Sequence, residues 1–295
     1  MHRSIVIVAA VIASTATAAR PAHAAIVYSN AGSAPGDSFT NPFTLFTAGQ
    51  AVGTSGWFYN NVRGGGVVGI NTAYPRLGDG SVLFISPSGS GKADIEFLGG
   101  AVTNIFGNAT ATSSLGSFAA FQGMSYDWYR DGTSTNPAAQ HPALRILIDA
   151  DGNLATTGDR GYLIFERSYN ALPTLTDQWV SDTIGPNTVL WNSSTSGLFG
   201  PQVFNRTLAQ WQAQLPNAVI LGFSSGVGSG WNGQFRGAVD NISWTIAGQT
   251  TTTNFEVAAP EIPEPATLGV LAALGLTGLV CRRRRAWMCF TPSAS

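Results

Sequence analysis

Short runs of alternating apolar and polar residues, separated by glycine, serine, threonine and asparagine, fill the middle of this chain. Seven of them read as strands: Ser81–Ser86, Ala93–Leu98, Phe118–Tyr129, Ala143–Asp149, Gly161–Ser168, Ala218–Ser225 and Gly237–Ile246. β-Branched and aromatic side chains dominate these runs and turn-forming residues bound them. Leu144–Ile148 and Tyr162–Glu166 predict two long strands of one sheet, with Asp151-Gly152 as a turn dipeptide in the connection between them. One segment breaks the period of two. Leu208, Trp211 and Leu215 recur at helical spacing and Pro216 ends the run, which predicts a short amphipathic helix capped by Asn205 or Thr207. Many strands with one short helix predict an all-β fold, a two-sheet sandwich of jelly-roll type. No internal repeat is visible, which argues against a propeller. A last strand is expected near Asn254–Val257, after which the chain becomes a proline-bearing linker.

The two ends follow a different pattern. Met1-His2-Arg3 is a positive start, Ile5–Ala13 is apolar, and Ala22-His23-Ala24 has the small-x-small form of a signal-peptidase site. Residues 1–24 therefore read as a signal peptide, with cleavage after Ala24. At the other end, a linker over 259–265 contains Pro263-Glu264-Pro265, which holds the chain extended. An uncharged apolar run over 266–281 follows, then Arg282, Arg283, Arg284 and Arg285. Its sixteen residues span roughly 24 Å as a helix, a short membrane span. The arginines would hold the basic tail, 282–295, on the cytoplasmic side. These three elements, in this order over Glu261–Arg285, resemble the PEP-CTERM sorting signal of Gram-negative bacteria. The resemblance implies recognition and removal by an exosortase-like membrane enzyme, transient residence in the inner membrane, and a final place at the cell surface or in the medium. The tail Ala286–Ser295 extends past the point where such signals usually stop.

Charge sharpens the division. The whole chain is formally −1, but the body from Ala25 to Glu261 holds nine basic and fifteen acidic residues, about −6. An acidic domain without a basic stripe is a poor partner for nucleic acid. Both cysteines, Cys281 and Cys289, lie outside the body, which excludes thiol catalysis and thiolate metal sites there. The body has one histidine, His141, beside Pro142, and no usable Gly-x-Ser-x-Gly elbow; a loop at the surface is its expected place.

Candidate chemistry is sparse. Gly228–Ile242, with its G-W-x-G-x-F-x-G-x-V-D-N-I run, resembles the closing strand of exported concanavalin-like or jelly-roll sandwiches, some of which bind carbohydrate. Gly91–Gly99 is similar to the Glu-x-Asp-x-Glu signature of laminarinase-type glucanases. There Asp94 and Glu96 match the second and third positions, while Lys92 stands where the nucleophile belongs. A lysine cannot form the glycosyl ester that retaining hydrolysis needs. The expected arrangement is thus an ordinary strand, with Ala93, Ile95 and Phe97 inward and Lys92, Asp94 and Glu96 outward in ion pairs. Asp149, Asp151 and Asn153 are oxygen ligands at calcium-loop spacing without the full EF-hand pattern, so a solvated turn is expected. Asp159 would join them if the loop folded back; no other cofactor is expected. Aromatics are abundant, notably Trp57-Phe58-Tyr59 and Tyr126, Trp128 and Tyr129. Such rings can stack on sugars or fill a sandwich. Alternation puts Tyr126 and Trp128 on one face, Asp127 and Tyr129 on the other.

The expected protein is an exported surface or matrix component whose body, 25–258, is a structural or carbohydrate-binding sandwich with extracellular polysaccharide as its partner. The alternative is a glycoside hydrolase or lyase using Asp94, Glu96 and Glu166.

Overall fold

The computed structural model describes residues 24–195, 197–228 and 230–258. The apolar run 266–281, the motif at Pro263–Pro265, Arg282–Arg285 and Ala22 all lie outside the described residues. Among the described residues no helix is long and apolar enough to cross a membrane.

In chain order the strands of four or more residues are β1 (Ala25–Tyr28), β2 (Ala48–Ala51), β3 (Trp57–Arg63), β4 (Val67–Asn71), β5 (Ser81–Ser86), β6 (Lys92–Leu98) and β7 (Phe121–Arg130). They continue with β8 (Ala143–Asp149), β9 (Arg160–Phe165), β10 (Trp179–Ile184), β11 (Val189–Asn192), β12 (Val219–Val227), β13 (Phe235–Ile246) and β14 (Gln249–Glu256). A single α-helix among the described residues, α1 (Leu208–Gln214), interrupts them. The fold is the expected all-β sandwich.

One sheet of eight strands is organised around β13. Along one edge β13 pairs with β7, which in turn pairs with β10. On the other edge its first half pairs with β5, followed by β4 and the short strand Phe39–Thr40, and its second half with β14, followed by β1. β1 joins β14 in parallel, Ala25 opposite Thr253 and Tyr28 opposite Glu256. The other sheet runs from the short strand Arg206–Thr207 through β11, β9, β8, β12, β6 and β3 to β2. Leu144 pairs with Phe165 and Asp149 with Arg160, so the two strands expected to be neighbours are.

Alternation explains the core. Leu144, Ile146 and Ile148 of β8, Ala93 and Ile95 of β6, and Phe223 and Val227 of β12 point inward from the nine-stranded sheet, all almost fully buried. Val82 and Phe84, Tyr126 and Trp128, and Val239 answer them from the other sheet. Aromatic rings bridge the layers: Trp57 meets Phe255 edge-on at 5.0 Å, and Phe223 stacks on Trp244 at 4.6 Å. Tyr126 and Trp128 thus share the inner face, as alternation required, while Tyr129 stacks outside on Tyr74 at 4.5 Å.

Three details differ from the sequence reading. Phe118–Ala120 winds into a 3-10 turn, so β7 begins at Phe121 rather than Phe118. β13 is not the closing strand: Ile246 pairs with Gln249 across a two-residue turn in which Ala247 (φ 50°) and Gly248 (φ 77°) are both left-handed. That is the hairpin turn whose twist matches the flanking strands, and it lets β14 extend from Gln249 rather than begin near Asn254. β9 ends at Phe165, because Arg167–Asn170 winds into a 3-10 turn closed by left-handed Ala171. The helix, by contrast, starts where expected. Thr207 caps it, its hydroxyl accepting from the Gln210 N–H while the Gln210 side chain accepts from the Thr207 N–H. Thr207→Ala removes one arm of this capping box and should lower stability by about 1 kcal/mol in urea unfolding.

Candidate functional site

The outer face of the nine-stranded sheet carries the polar residues that alternate with the core. It is only partly open. The segment around Val102–Thr110 folds back over one half: Asn60 of β3 donates to the Ala109 carbonyl at 2.9 Å and accepts from the Ala109 N–H at 2.8 Å. Leu98, Ala109, Ala111 and Leu221 form a small second core beneath it.

Under that cover lies a buried charge network. Asp94 and Glu96 do point away from Ala93 and Ile95, but at 0% and 1% exposure neither is solvated. Arg145 of β8 donates to Asp94 at 2.7 Å, to Ser224 Oγ at 3.3 Å and to the Gly226 carbonyl at 3.3 Å; Lys92 reaches Asp94 at 3.1 Å. Position 226 must be glycine for this to assemble, since a Cβ there would sit 2.3 Å from Asp94 Oδ1. Glu96 accepts from Asn60 at 2.5 Å, Tyr162 at 2.9 Å and Asn61 at 3.2 Å. The two carboxyls are driven apart. Burial pushes Asp94 up, but the charges of Arg145 and Lys92 outweigh it and hold the group below the usual carboxylate range. For Glu96 burial and the Asp94 charge act together, and the carboxyl rises.

Beside this network the same face opens into a cleft of about 280 Å³. Lys92, Arg145, Tyr162 and Ile164 line it from the strands, with Glu166 just past β9; Trp191 of β11 and Trp231 are also part of its wall. Trp191 continues outward as an aromatic shelf: Phe204 lies 5.7 Å from it and stacks on Tyr169 at 5.1 Å, and both outer rings are 40% exposed. Trp231 is set edge-on against Phe235 at 5.3 Å. Burial lifts the Glu166 carboxyl above its ordinary range, against the pull of Arg145 and the Trp191 indole.

Sequence reasoning found some of these residues and missed the site. Asp94, Glu96 and Glu166 all lie on this face, yet only Glu166 borders the cleft. Trp191 and Trp231 stood in the sequence as scattered tryptophans forty residues apart. Asp149 is the last residue of β8, and Asp151 and Asn153 follow it in the β8–β9 connection; these two are exposed but Asp149 is fully buried, so the group is not wholly solvated. Ala24 is exposed.

His141 corrects an expectation. It is not at the surface but 1% exposed, stacked 4.8 Å from Trp128. Its Nε2 accepts from the Arg167 N–H at 3.0 Å, which leaves Nδ1 to donate to the Pro142 carbonyl at 3.0 Å. Burial lowers its pKa to about 3. It is a neutral core histidine.

Residues 261–285 match the PEP-CTERM protein-sorting motif, a mark of export and surface sorting. No curated protein matches the chain. Among solved structures it is similar to the family 11 carbohydrate-binding module of the cellulosomal cellulase Lic26A-Cel5E of Clostridium thermocellum, at 12% identity over 68% of this chain and 94% of that one, with a TM-score of 0.38. The family 11 module from Clostridium thermocellum in complex with a β-1,3-1,4-mixed-linked tetrasaccharide matches at 12% identity, 66% and 91% coverage and a TM-score of 0.37. A CBM4 structure matches at 13% identity, 66% and 96% coverage and a TM-score of 0.29. Superpositions this loose say nothing of what the present chain binds.

Proposed function

We propose that this is an exported surface or matrix protein whose sandwich binds carbohydrate in the cleft between Trp191 and Trp231. The cleft itself carries the reading. Sugar rings offer apolar C–H faces and a rim of hydroxyls. A site for them needs flat aromatic walls together with fixed donors and acceptors. Trp191 and Trp231 supply the first; Lys92, Arg145, Tyr162 and Glu166 supply the second. The shelf formed by Tyr169 and Phe204 extends the wall beyond a single ring, which suits a polymer. Sorting by the signal at 261–285, through an exosortase-like enzyme and a transient stay in the inner membrane, would deliver this surface to extracellular polysaccharide.

Hydrolysis is the second reading, favoured by the raised Glu96 carboxyl beside Asp94. Binding is preferred, because Glu96 does not border the cleft and its oxygens are engaged by Asn60, Asn61 and Tyr162. The test is a panel of soluble polysaccharides titrated against the full chain in detergent. At least one is expected to bind, and Trp191→Ala to weaken it roughly thirty-fold, the scale of losing a buried tryptophan contact. Unchanged affinity in Trp191→Ala would remove the cleft from consideration. Release of reducing sugar, abolished by Glu96→Gln, would replace binding with hydrolysis.

A further inference from the structure

We infer that the connection between β8 and β9 is a calcium site formed by Asp149, Asp151 and Asp159. One carboxylate oxygen from each lies within 4.8 Å of the others. Two oxygens bound to one calcium at about 2.4 Å each can be no farther apart than about 4.8 Å, so the three are already at the separation one ion would impose. The loop has folded back to achieve this: Asp159 Oδ2 accepts the Asp151 N–H at 2.9 Å, and Asp151 Oδ1 accepts the Asn153 N–H at 2.7 Å.

The most buried of the three carboxylates makes the case for an ion. The Asp149 side chain is 0% exposed, and its Oδ1 is buried with no hydrogen-bond partner. A carboxylate oxygen sealed from water and unpaired is costly unless a cation meets it. Arg160 does not fill that role. Its Nε reaches the other oxygen, Oδ2, at 3.1 Å, and its remaining nitrogens donate to the carbonyls of Ala111 at 3.2 Å and Leu154 at 3.0 Å. Three carboxylates and one guanidinium leave a charge of about −2, matched by one divalent ion.

Chemistry selects the ion. The donors are all hard oxygens, without imidazole or thiolate, which points to calcium or magnesium rather than zinc or copper. An irregular loop with one buried and two more accessible carboxylates suits the variable geometry of calcium better than the strict octahedron of magnesium. The affinity should be that of extracellular modules, about 10⁻⁴–10⁻³ M. The ion would clamp the hairpin whose two strands carry Arg145 and Tyr162, although the site itself does not depend on what the cleft binds.

The test uses the full chain in detergent, stripped with chelator and titrated with calcium by calorimetry and thermal melting. Binding in that range should raise the melting temperature by about 3–6 °C at tenfold excess over Kd. Asp151→Asn combined with Asp159→Asn, both outside the core, should melt near the calcium-free wild type and lose the shift. Asp149→Asn should lose it as well. The inference is overturned if calcium gives neither heat nor shift up to about 10 mM. It is equally overturned if the double variant keeps the full shift, or if magnesium reproduces it at the same concentration.

Discussion

Replacing Arg145 with methionine is expected to lower the stability of the folded protein by about 3–5 kcal/mol. Methionine keeps most of the side-chain volume, so the loss is electrostatic. Arg145 donates to Asp94 across 2.7 Å where both side chains are nearly sealed from solvent. Removing the guanidinium leaves the carboxylate with one cation, Lys92, 3.1 Å away and 19% exposed, and the Asn61 amide at 3.1 Å, in a place where a poorly compensated charge is heavily penalised. Asp94 could escape by taking up a proton, but Glu96 beside it is already the carboxyl with the raised pKa. The companion variant Asp94→Asn in the Arg145→Met background should restore a large part of the loss, since no buried carboxylate then remains at position 94. Urea unfolding of the single and double variants reads this directly. A single variant within about 1 kcal/mol of wild type would mean that the pair is solvated.

Acid should destabilise the protein through His141, and this is the second large effect. An unfolded chain protonates this imidazole near the ordinary value of about 6.5, whereas the folded protein resists until about 3. Between those limits the unfolded state binds more protons, so stability falls as the pH falls. Each pH unit removes about 1.4 kcal/mol, and the whole window about 4–5 kcal/mol. Burial is the main cause, and the charges of Arg167 and Arg130 add to it; only the hydrogen bond to Pro142 works the other way. Carboxyls with raised values, among them Glu96, Glu166 and Asp240 at about 7, contribute the opposite slope, because the folded state protonates them first. The difference between wild type and His141→Gln isolates the histidine. Wild type should lose about 2 kcal/mol more than the variant on going from neutral pH to about pH 5. Equal slopes would place the imidazole in contact with water.

The strands that could be read from sequence were those whose pattern answers to one neighbourly demand. β5 and β8 alternate cleanly, and their expected limits coincide with the observed ones, Ser81–Ser86 and Ala143–Asp149. β3 was legible only as an aromatic cluster. Its Asn60-Asn61 pair favours turns by itself, and left-handed Asn61 (φ 53°) does bulge the strand. What keeps Asn60 in a sheet is the backbone of Ala109, a partner 49 residues away. The same distant segment turned the outward face of β6 into an interior. No local pattern announces a loop folding over a sheet, so Asp94 and Glu96 were placed on the correct face with the wrong solvation. His141 failed for a related reason: its proline neighbour suggests a loop, but three separate elements supply Trp128, Arg167 and Phe165 around it. The cleft was invisible because Trp191 and Trp231 belong to no common motif and converge only across the sheet.

The parallel pairing of β1 with β14 fixes an order of events. The Ser29 hydroxyl bonds to the Val257 carbonyl, a closure over 228 residues, among the costliest loops this chain can make. Until Gln249–Glu256 has emerged, β1 has no ladder to join and the second half of β13 keeps a bare edge, a template for mispairing. If the body crosses a membrane as an unfolded thread, its first strand must therefore wait for its last. Completion of the sheet would then coincide with arrival of the segment that leads into the sorting motif, which makes that motif's presentation a report that the domain ahead of it is whole.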